Sequence, residues 1–276
     1  MDFTSDSFRR QLYLRGRLSE LRERFLEIAL RMLLKDPKLS WYVMDGSGVL
    51  LRKYWDDNLR QLIRYGVASD SSKFAGSLLS LTGDVAIDVG SNRGQLAVIF
   101  AKKFRQVYCF EPNESNNREL RDTLIINGIR NAIVSQLAVS STSGTAMMRM
   151  SSDYGHHTLE TCHLTSVVEW APVATTTLDE FVDRNSIGTV DLLKIDVEGH
   201  ELEVLRGAER LLQRRQVRVI IFEHSPVLLK ANKHPVDEVA NFLSEYDFRF
   251  STFENHELEV NQFQTLGQLD VVARLH

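Results

Sequence analysis

Two short blocks of this chain constrain its fold most strongly. Residues 85–94 read Val-Ala-Ile-Asp-Val-Gly-Ser-Asn-Arg-Gly, and residues 107–112 read Val-Tyr-Cys-Phe-Glu-Pro. Each block begins with a short apolar run typical of a buried strand, and the first leads through a glycine turn toward a helical stretch. A strand, a glycine turn, a helix and a second strand that ends in an acid are typical of an α/β sheet that holds an adenine-ribose ligand.

The spacing within the turn indicates which ligand fits. A dinucleotide pyrophosphate requires a Gly-x-Gly-x-x-Gly turn, but Asn92 stands where its middle glycine belongs, between Gly90 and Gly94. An Asp-x-Gly-x-x-x-Gly turn opened by Asp88 fits S-adenosylmethionine better, because that cofactor has no phosphate and its ammonium group favours a nearby carboxylate. Glu111, after the second strand, can accept hydrogen bonds from both ribose hydroxyls. The spacing therefore disfavours an NAD-dependent oxidoreductase.

Residues after the third predicted strand flank the adenine in such folds, and here they are Gln136, Leu137 and Ala138. Gln136 can hydrogen-bond the purine edge, whereas Leu137 can equally be a core residue. The predicted cofactor contacts are Asp88, Gly90, Asn92, Gly94, Glu111, Pro112, Gln136, Ala138 and Asp196.

A second informative block, residues 191–208, reads as an apolar strand, an acidic turn and the start of an amphipathic helix. With this block the chain resembles the FkbM family of class I S-adenosylmethionine-dependent methyltransferases, over roughly residues 84–225. The most specific segment is Lys-Ile-Asp-Val-Glu-Gly-His-Glu at 194–201, where His200 replaces a residue that is often small in the family. The other matching blocks are 88–94, 110–112, 127–128, 138–140, 177–179, 205–208 and 222–224.

The resemblance implies an O-methyltransferase that uses S-adenosylmethionine and releases S-adenosylhomocysteine. The acceptor class that it implies is a hydroxyl of a sugar, a glycolipid or a polyketide-type small molecule. Two alternatives stay open. One is methylation of an amine, and the other is a non-catalytic assembly partner that retains the cofactor fold.

From residue 84 onward predicted strands and helices alternate, which indicates an α/β fold. We expect a Rossmann-like, seven-stranded, mostly parallel sheet with helices on both faces, closed by an antiparallel last strand. This S-adenosylmethionine-binding domain is assigned to residues 81–276. The predicted strands lie near 84–89, 106–110, 132–137, 190–195, 217–223, 247–253 and 268–274, and the predicted helices near 93–103, 114–126, 177–184, 200–213 and 234–245.

Residues 1–80 differ in character and are predicted to form an N-terminal helical extension. Apolar residues recur three or four apart between Ser7 and Lys35, which indicates an amphipathic helix with an arginine-rich polar face. A second helical stretch runs from Asn58 to Tyr65. The extension can cap the active site, form a homodimer or pack against the sheet, and the sequence leaves these uses open.

Candidate catalytic residues follow the fourth and fifth predicted strands. A hydroxyl is a poor nucleophile while protonated, so a base at its proton assists methyl transfer. His224 is the preferred base, because an imidazole titrates nearest neutrality; His200 is the alternative, and Asp196 is expected to orient the substrate or the cofactor. We predict no metal ion, but if Mg²⁺ takes part, the carboxylates of Asp196, Glu198 and Glu223 would hold it. Lys194, inside the fourth strand, is expected to pair with a buried carboxylate.

The segment from Ser140 to Ala171 reads as a long polar insert near the carboxyl edge of the sheet, where inserts often carry substrate contacts. Metal binding by its adjacent histidines is disfavoured, because two neighbouring side chains rarely aim at one ion. Exposure to solvent without any contact is the alternative. The predicted substrate contacts are Tyr154, His156, His157, Glu198 and Glu223.

Composition and net charge indicate which kinds of partner and which compartment the protein has. The formal net charge of −4 disfavours nucleic acid, whose binding proteins usually carry a basic surplus. Cys109 and Cys162 show neither metal spacing nor a disulfide framework, which favours a reducing compartment. Residues 1–6 lack a signal-peptide pattern, and no apolar run approaches membrane-spanning length. We therefore expect a cytoplasmic protein with a small-molecule partner.

Overall fold

The computed structural model describes residues 42–44, 50–52, 81–151, 158–160 and 167–276. Within the N-terminal extension the described residues form two antiparallel strands, β1 (Tyr42–Met44) and β2 (Leu50–Arg52), which the helical prediction did not include. Both predicted N-terminal helices lie outside the described residues, as does Cys162. The same holds for three predicted substrate contacts, Tyr154, His156 and His157.

The remaining strands form two sheets. In chain order they are β3 (Gly83–Val89), β4 (Phe104–Phe110), β5 (Ala132–Ser135), β6 (Ala138–Val139), β7 (Gly144–Ser151), β8 (Val167–Thr176), β9 (Val190–Ile195), β10 (Val217–His224), β11 (Phe248–Ser251), β12 (Glu257–Leu258) and β13 (Leu269–Leu275).

The larger sheet has eight strands in the order β12-β11-β13-β10-β9-β3-β4-β5. Strands β10, β9, β3, β4 and β5 run parallel, and β13 lies antiparallel between β10 and β11. All seven predicted strands are present, and the antiparallel last strand is confirmed. The predicted count was one short, because β12 is a two-residue edge strand that pairs with β11.

The central strands are apolar on both faces, as a sheet covered by helices on two sides requires. Neighbouring residues on a strand point to opposite faces, and Leu192 and Leu193 of β9 are both buried, as are Ile220 and Ile221 of β10. One face packs on the helices that follow β3 and β4, and the other on the helices of the second half.

The helices largely follow the prediction, with three differences, one of which is the unpredicted 3₁₀ helix Val260–Gln264. The predicted helix 200–213 is broken near Gly207, where a β-carbon would meet the Ser140 carbonyl oxygen at 2.2 Å. A helix that starts at Pro226, a residue well suited to the first helical turn, was not predicted. The helices are α1 (Gln95–Ala101), α2 (Glu114–Ile126), α3 (Leu178–Arg184), α4 (Glu201–Arg206), α5 (Glu209–Gln213), α6 (Pro226–Ala231), α7 (Glu238–Ser244) and the 3₁₀ helix Val260–Gln264.

The insert contains much of the smaller sheet. Strands β7 and β8 form an antiparallel pair, and β6 adds to β8 in parallel, in the order β6-β8-β7. The sequence did not predict this pair, because its pairing joins residues on either side of a long polar stretch. Among the described residues, every helix is too short or too polar to traverse a lipid bilayer.

Candidate active site

The glycine turn between β3 and α1 lies against the ends of two neighbouring strands. The amides of Gly90 and Ser91 both donate to the Phe110 carbonyl oxygen at 3.0 Å. Gly90 has φ +78°, and a β-carbon there would lie 1.9 Å from the Asp196 carbonyl oxygen. Gly94 has φ +88°, and its β-carbon would meet Leu120 at 2.5 Å. Both positions therefore favour glycine, because φ is positive and because a β-carbon would lie too close to atoms of neighbouring residues.

Glu111 is held at the end of β4 by backbone amides. Its Oε2 accepts from the Asn92 amide and its Oε1 from the Asn113 amide, each at 2.9 Å. Burial raises the pKa of Glu111 to about 7, against the lowering effect of these two hydrogen bonds. A carboxylate offers about four lone-pair sites, so both oxygens retain capacity for further donors such as ribose hydroxyls.

A cluster of charged side chains around the buried Lys194 lies beside the turn. Lys194 Nζ is 2.8 Å from Oδ2 of the part-exposed Asp196 and 3.9 Å from Oδ1 of the buried Asp88, and the contact with Asp88 is the predicted pairing of this lysine with a buried carboxylate. Burial lowers the pKa of Lys194, but the charges of Asp196 and Asp88 outweigh that effect and the net pKa is raised.

Asp88 is 0% exposed, and neither of its carboxylate oxygens has a hydrogen-bond partner among the described residues. Burial raises the pKa of Asp88, and the charge of Lys194 opposes the rise. A buried carboxylate beside a glycine turn that accepts no hydrogen bond from the described residues, and whose ion pair with Lys194 is long at 3.9 Å, fits a ligand that carries a positive charge, as S-adenosylmethionine does.

The residues predicted to flank the adenine lie at the same edge. The Glu111 amide donates to the Ser135 carbonyl oxygen at 3.1 Å, so the end of β5 lies next to the end of β4. Gln136 follows β5 and is exposed, whereas Ala138 is buried in β6. Pro112 is part-buried between Glu111 and the cap of α2. Their contacts with a cofactor remain predictions.

Three carboxylates named by the sequence come together where β9 and β10 end. Asp196, Glu198 and Glu223 each place an oxygen within 4.8 Å of the others. Burial raises the pKa of Glu223 to about 9, and the charges of Asp196 and Glu198 add to the rise. Glu223 Oε1 also accepts from Gln268 Nε2 at 2.7 Å. We call these three residues the carboxylate cluster; they are also the residues expected to hold a divalent ion if one takes part.

The acidic turn, residues 196–199, has an unusual backbone. Glu198 has φ +58° and Gly199 φ +98°, both in the left-handed region. Glu201 Oε1 accepts from the amides of Val197 and Gly199, each at 3.2 Å. Burial raises the pKa of Glu201 to about 7. The sequence reasoning did not assign this role to Glu201, although its place at the end of the 194–201 motif was a usable signal.

His224 lies apart from the carboxylate cluster. It is adjacent to Glu223 on β10, so the two side chains point to opposite faces of the sheet. The imidazole is 2% exposed and packs edge-on against Phe263, with ring centroids 5.2 Å apart. Burial lowers the pKa of His224, against a hydrogen bond with the backbone of Phe263. Its Nε2 is buried and has no hydrogen-bond partner among the described residues.

His200 is engaged through both ring nitrogens. Nδ1 lies 2.7 Å from Glu160 Oε1, and Nε2 lies 3.0 Å from Ser140 Oγ. Neither nitrogen is left for a substrate proton, so the geometry favours a positioning role for His200 over the predicted catalytic role. The sequence reasoning did not single out Glu160, because its partner lies 40 residues away.

Among known proteins, the chain matches a relative named hexuronic acid methyltransferase AglP, from Haloferax volcanii. The two are 34% identical over 165 residues, which cover 59% of this chain and 62% of AglP. The match thus spans less than two thirds of that relative.

Two solved structures are similar to this chain at low identity. One is a methyltransferase FkbM from Methylobacillus flagellatus, with 15% identity, a TM-score of 0.46, and coverage of 79% of this chain and 55% of the other. The other is TrmK from M. capricolum in complex with S-adenosyl-homocysteine, with 9% identity, a TM-score of 0.41, and coverage of 74% and 67%.

The model of the methyltransferase FkbM domain matches residues 88–250, which begin at Asp88 and include Glu111 and the carboxylate cluster. The match covers more than half of the chain and confirms the resemblance found in the sequence. The chain belongs to the FkbM methyltransferase family.

Proposed function

We propose that this protein is an S-adenosylmethionine-dependent O-methyltransferase that acts on a hydroxyl of a sugar-type small molecule. One observation carries the proposal. The glycine turn with Asp88 and Glu111 adjoins the carboxylate cluster at the carboxyl edge of one sheet, with Lys194 linking the two through Asp88 and Asp196. A cofactor site and an acceptor site can therefore meet there.

The residues of the turn suit the cofactor. S-adenosylmethionine supplies a methyl carbon bonded to a positively charged sulfur. Asp88 would face its cationic methionyl end, Glu111 would accept from the ribose hydroxyls, and Gln136 and Ala138 would flank the adenine. The Asp88 oxygens, which accept no hydrogen bond from the described residues, and the spare acceptor capacity of Glu111 support this assignment.

The carboxylate cluster would bind the acceptor. Carboxylate oxygens accept hydrogen bonds from sugar hydroxyls, and one of them can take the proton of the reacting hydroxyl as negative charge develops on oxygen. We propose Glu223 for this step, because it lies in the cluster and its raised pKa makes its ionised form a stronger base than an ordinary carboxylate. His224 is the alternative base, and Asp196 would orient the acceptor.

AglP, the relative named for hexuronic acid, indicates which acceptors to test first. A cluster of carboxylates repels an acceptor carboxylate, so we expect a hydroxyl of the sugar to enter the cluster while any acid group points away. Hydroxyls of glycolipids and of polyketide-type small molecules would be tested as acceptors after the sugars. If Mg²⁺ takes part, the same three carboxylates would hold it and a chelator would abolish turnover.

The test has two steps. Titration calorimetry should show binding of S-adenosylmethionine with a micromolar Kd, which corresponds to about −8 kcal/mol, and no binding of NAD. Transfer of a labelled methyl group should then be followed with glucuronic acid, glucose and glucosamine as acceptors. Binding with label on a sugar hydroxyl supports the proposal. Label on the glucosamine amine would indicate an N-methyltransferase, and binding without turnover on any acceptor would favour a non-catalytic partner.

A further inference from the structure

Residues 158–160, within the insert, form hydrogen bonds directly with the acidic turn. Thr158 Oγ1 donates to the carbonyl oxygens of Glu198 at 3.0 Å and Val197 at 3.3 Å. The backbone of Thr158 pairs with Arg149 of β7, amide to carbonyl in both directions at 2.8 and 3.3 Å. The buried Thr158 thus joins the smaller sheet to the turn that carries Glu198.

A second connection lies two residues on. Glu160 Oε1 is 2.7 Å from His200 Nδ1, and its Oε2 is 3.7 Å from His234 Nε2. Burial alone would raise the pKa of Glu160, but the hydrogen bond and charge of His200, and then those of His234, lower it. The carboxylate is therefore ionised at neutral pH and can only accept, so His200 Nδ1 carries the proton that it donates to Glu160. Its Nε2 meets Ser140 Oγ, so the same imidazole also contacts the segment after β6.

These contacts bear on a strained part of the backbone. Glu198 holds a left-handed conformation, which is costly for a residue with a β-carbon and persists only when its surroundings enforce it. Glu201 holds the turn through the amides of Val197 and Gly199, and Thr158 holds it through the carbonyls of Val197 and Glu198. Hydrogen bonds therefore hold the turn through both its backbone amides and its backbone carbonyl oxygens.

We propose that Thr158 and Glu160, which we call the clasp, are positioning residues that set the geometry of the acidic turn and so orient the Glu198 carboxylate toward the acceptor. This inference rests on the proposed function of the carboxylate cluster. The clasp acts through the backbone of the turn and touches no reacting atom. Its loss should impair acceptor turnover and leave cofactor binding intact, because Asp88 and Glu111 are held by other contacts.

Thr158→Val removes the hydroxyl donor and keeps the shape of the side chain. We expect kcat, measured with whichever sugar the labelling assay shows to be methylated, to fall by about tenfold or more, since small misplacements of catalytic groups have effects of this size. Affinity for S-adenosylmethionine in calorimetry should change less than twofold. Thr158→Ser, which restores the hydroxyl, should recover most of the turnover. Thr175→Val is the matched control, because Thr175 Oγ1 makes a similar 2.9 Å bond to the Thr142 carbonyl oxygen, on the smaller sheet and away from the turn.

Hydrogen exchange tests the clasp without any acceptor. The amides of Val197 and Gly199 should exchange faster in Thr158→Val than in the parent or in Thr175→Val. In Glu160→Gln the same two amides should also exchange faster than in the parent, but by a smaller factor. Unchanged exchange at these amides, or parental turnover in Thr158→Val, would overturn the proposal. A parallel loss of cofactor affinity would also overturn it, because it would show general damage to the fold. If the parent methylates no acceptor, the proposed function fails, while the exchange result still decides whether the clasp holds the turn.

Discussion

At the scale of single residues, Glu111 offers the most direct test of the cofactor site. Glu111→Ala removes a carboxylate that can bind both ribose hydroxyls, and affinity for S-adenosylmethionine should fall by about 1.5–3 kcal/mol, the usual worth of charge-assisted hydrogen bonds. Titration calorimetry measures the change. Glu114→Ala is the matched control, because Glu114 is exposed on α2 and pairs only with Arg118 among the described residues. A Glu111→Ala protein that binds the cofactor as well as the parent would remove Glu111 from the site.

The identity of the general base is also decided by single residues. Replacing the base should lower kcat by about 10²–10⁴-fold, so Glu223→Gln and His224→Asn discriminate the two candidates. The pH profile gives a second criterion. A base acts in its deprotonated form, and the pKa of Glu223 is raised to about 9, so kcat/KM should still increase above neutral pH. A histidine base, with the lowered pKa of His224, would instead give a plateau by neutrality. Full activity in Glu223→Gln with loss in His224→Asn would reverse our assignment.

At the scale of elements, the β3–α1 turn must approach β9 closely. Gly90→Ala would drive a β-carbon into the Asp196 carbonyl oxygen, 1.9 Å away, and would also strain a left-handed residue. We expect a loss of stability of about 2–4 kcal/mol in urea unfolding, together with loss of cofactor binding. Gly128→Ala separates the two causes, because Gly128 has φ +68° but, in the described part of the chain, no non-neighbouring residue places an atom within 4 Å of its β-carbon. Equal losses of stability in Gly90→Ala and Gly128→Ala would mean that the close approach of the turn to the Asp196 carbonyl oxygen contributes nothing to the effect.

At the scale of the whole molecule, buried carboxyls make stability depend on pH. The pKa values of Glu111 and Glu201 are raised to about 7 and that of Glu223 to about 9, so the folded state binds more protons than the unfolded state. Their contribution is fully present below the unfolded pKa, near 4.5, and is lost as pH rises through the folded values. The urea midpoint of the cofactor-free protein should therefore fall between about pH 5 and pH 9. Glu223→Gln should flatten the upper part of this dependence, and a midpoint that rises with pH would contradict the predicted sign.

The sequence alone determined the features that depend on neighbours along the chain. Alternating strands and helices, the glycine turn opened by Asp88 and the acid at the end of β4 are local patterns, because strand and turn propensities act over a few residues. Parallel strands share one carboxyl edge, so the meeting of Asp196, Glu198 and Glu223 could be inferred from their positions at the carboxyl ends of β9 and β10.

The tertiary structure decided which side chain of a strand reaches the site and which residues distant in the sequence contact one another. The period of two in a strand separates His224 from Glu223, yet which of the two reaches the cluster depends on how the sheet packs. The hydroxyl of Thr158 meets a turn 40 residues away, and Glu160 meets a histidine at the same separation. Such contacts leave no periodic signal in the sequence, since they are formed only when the insert folds back onto the edge of the sheet.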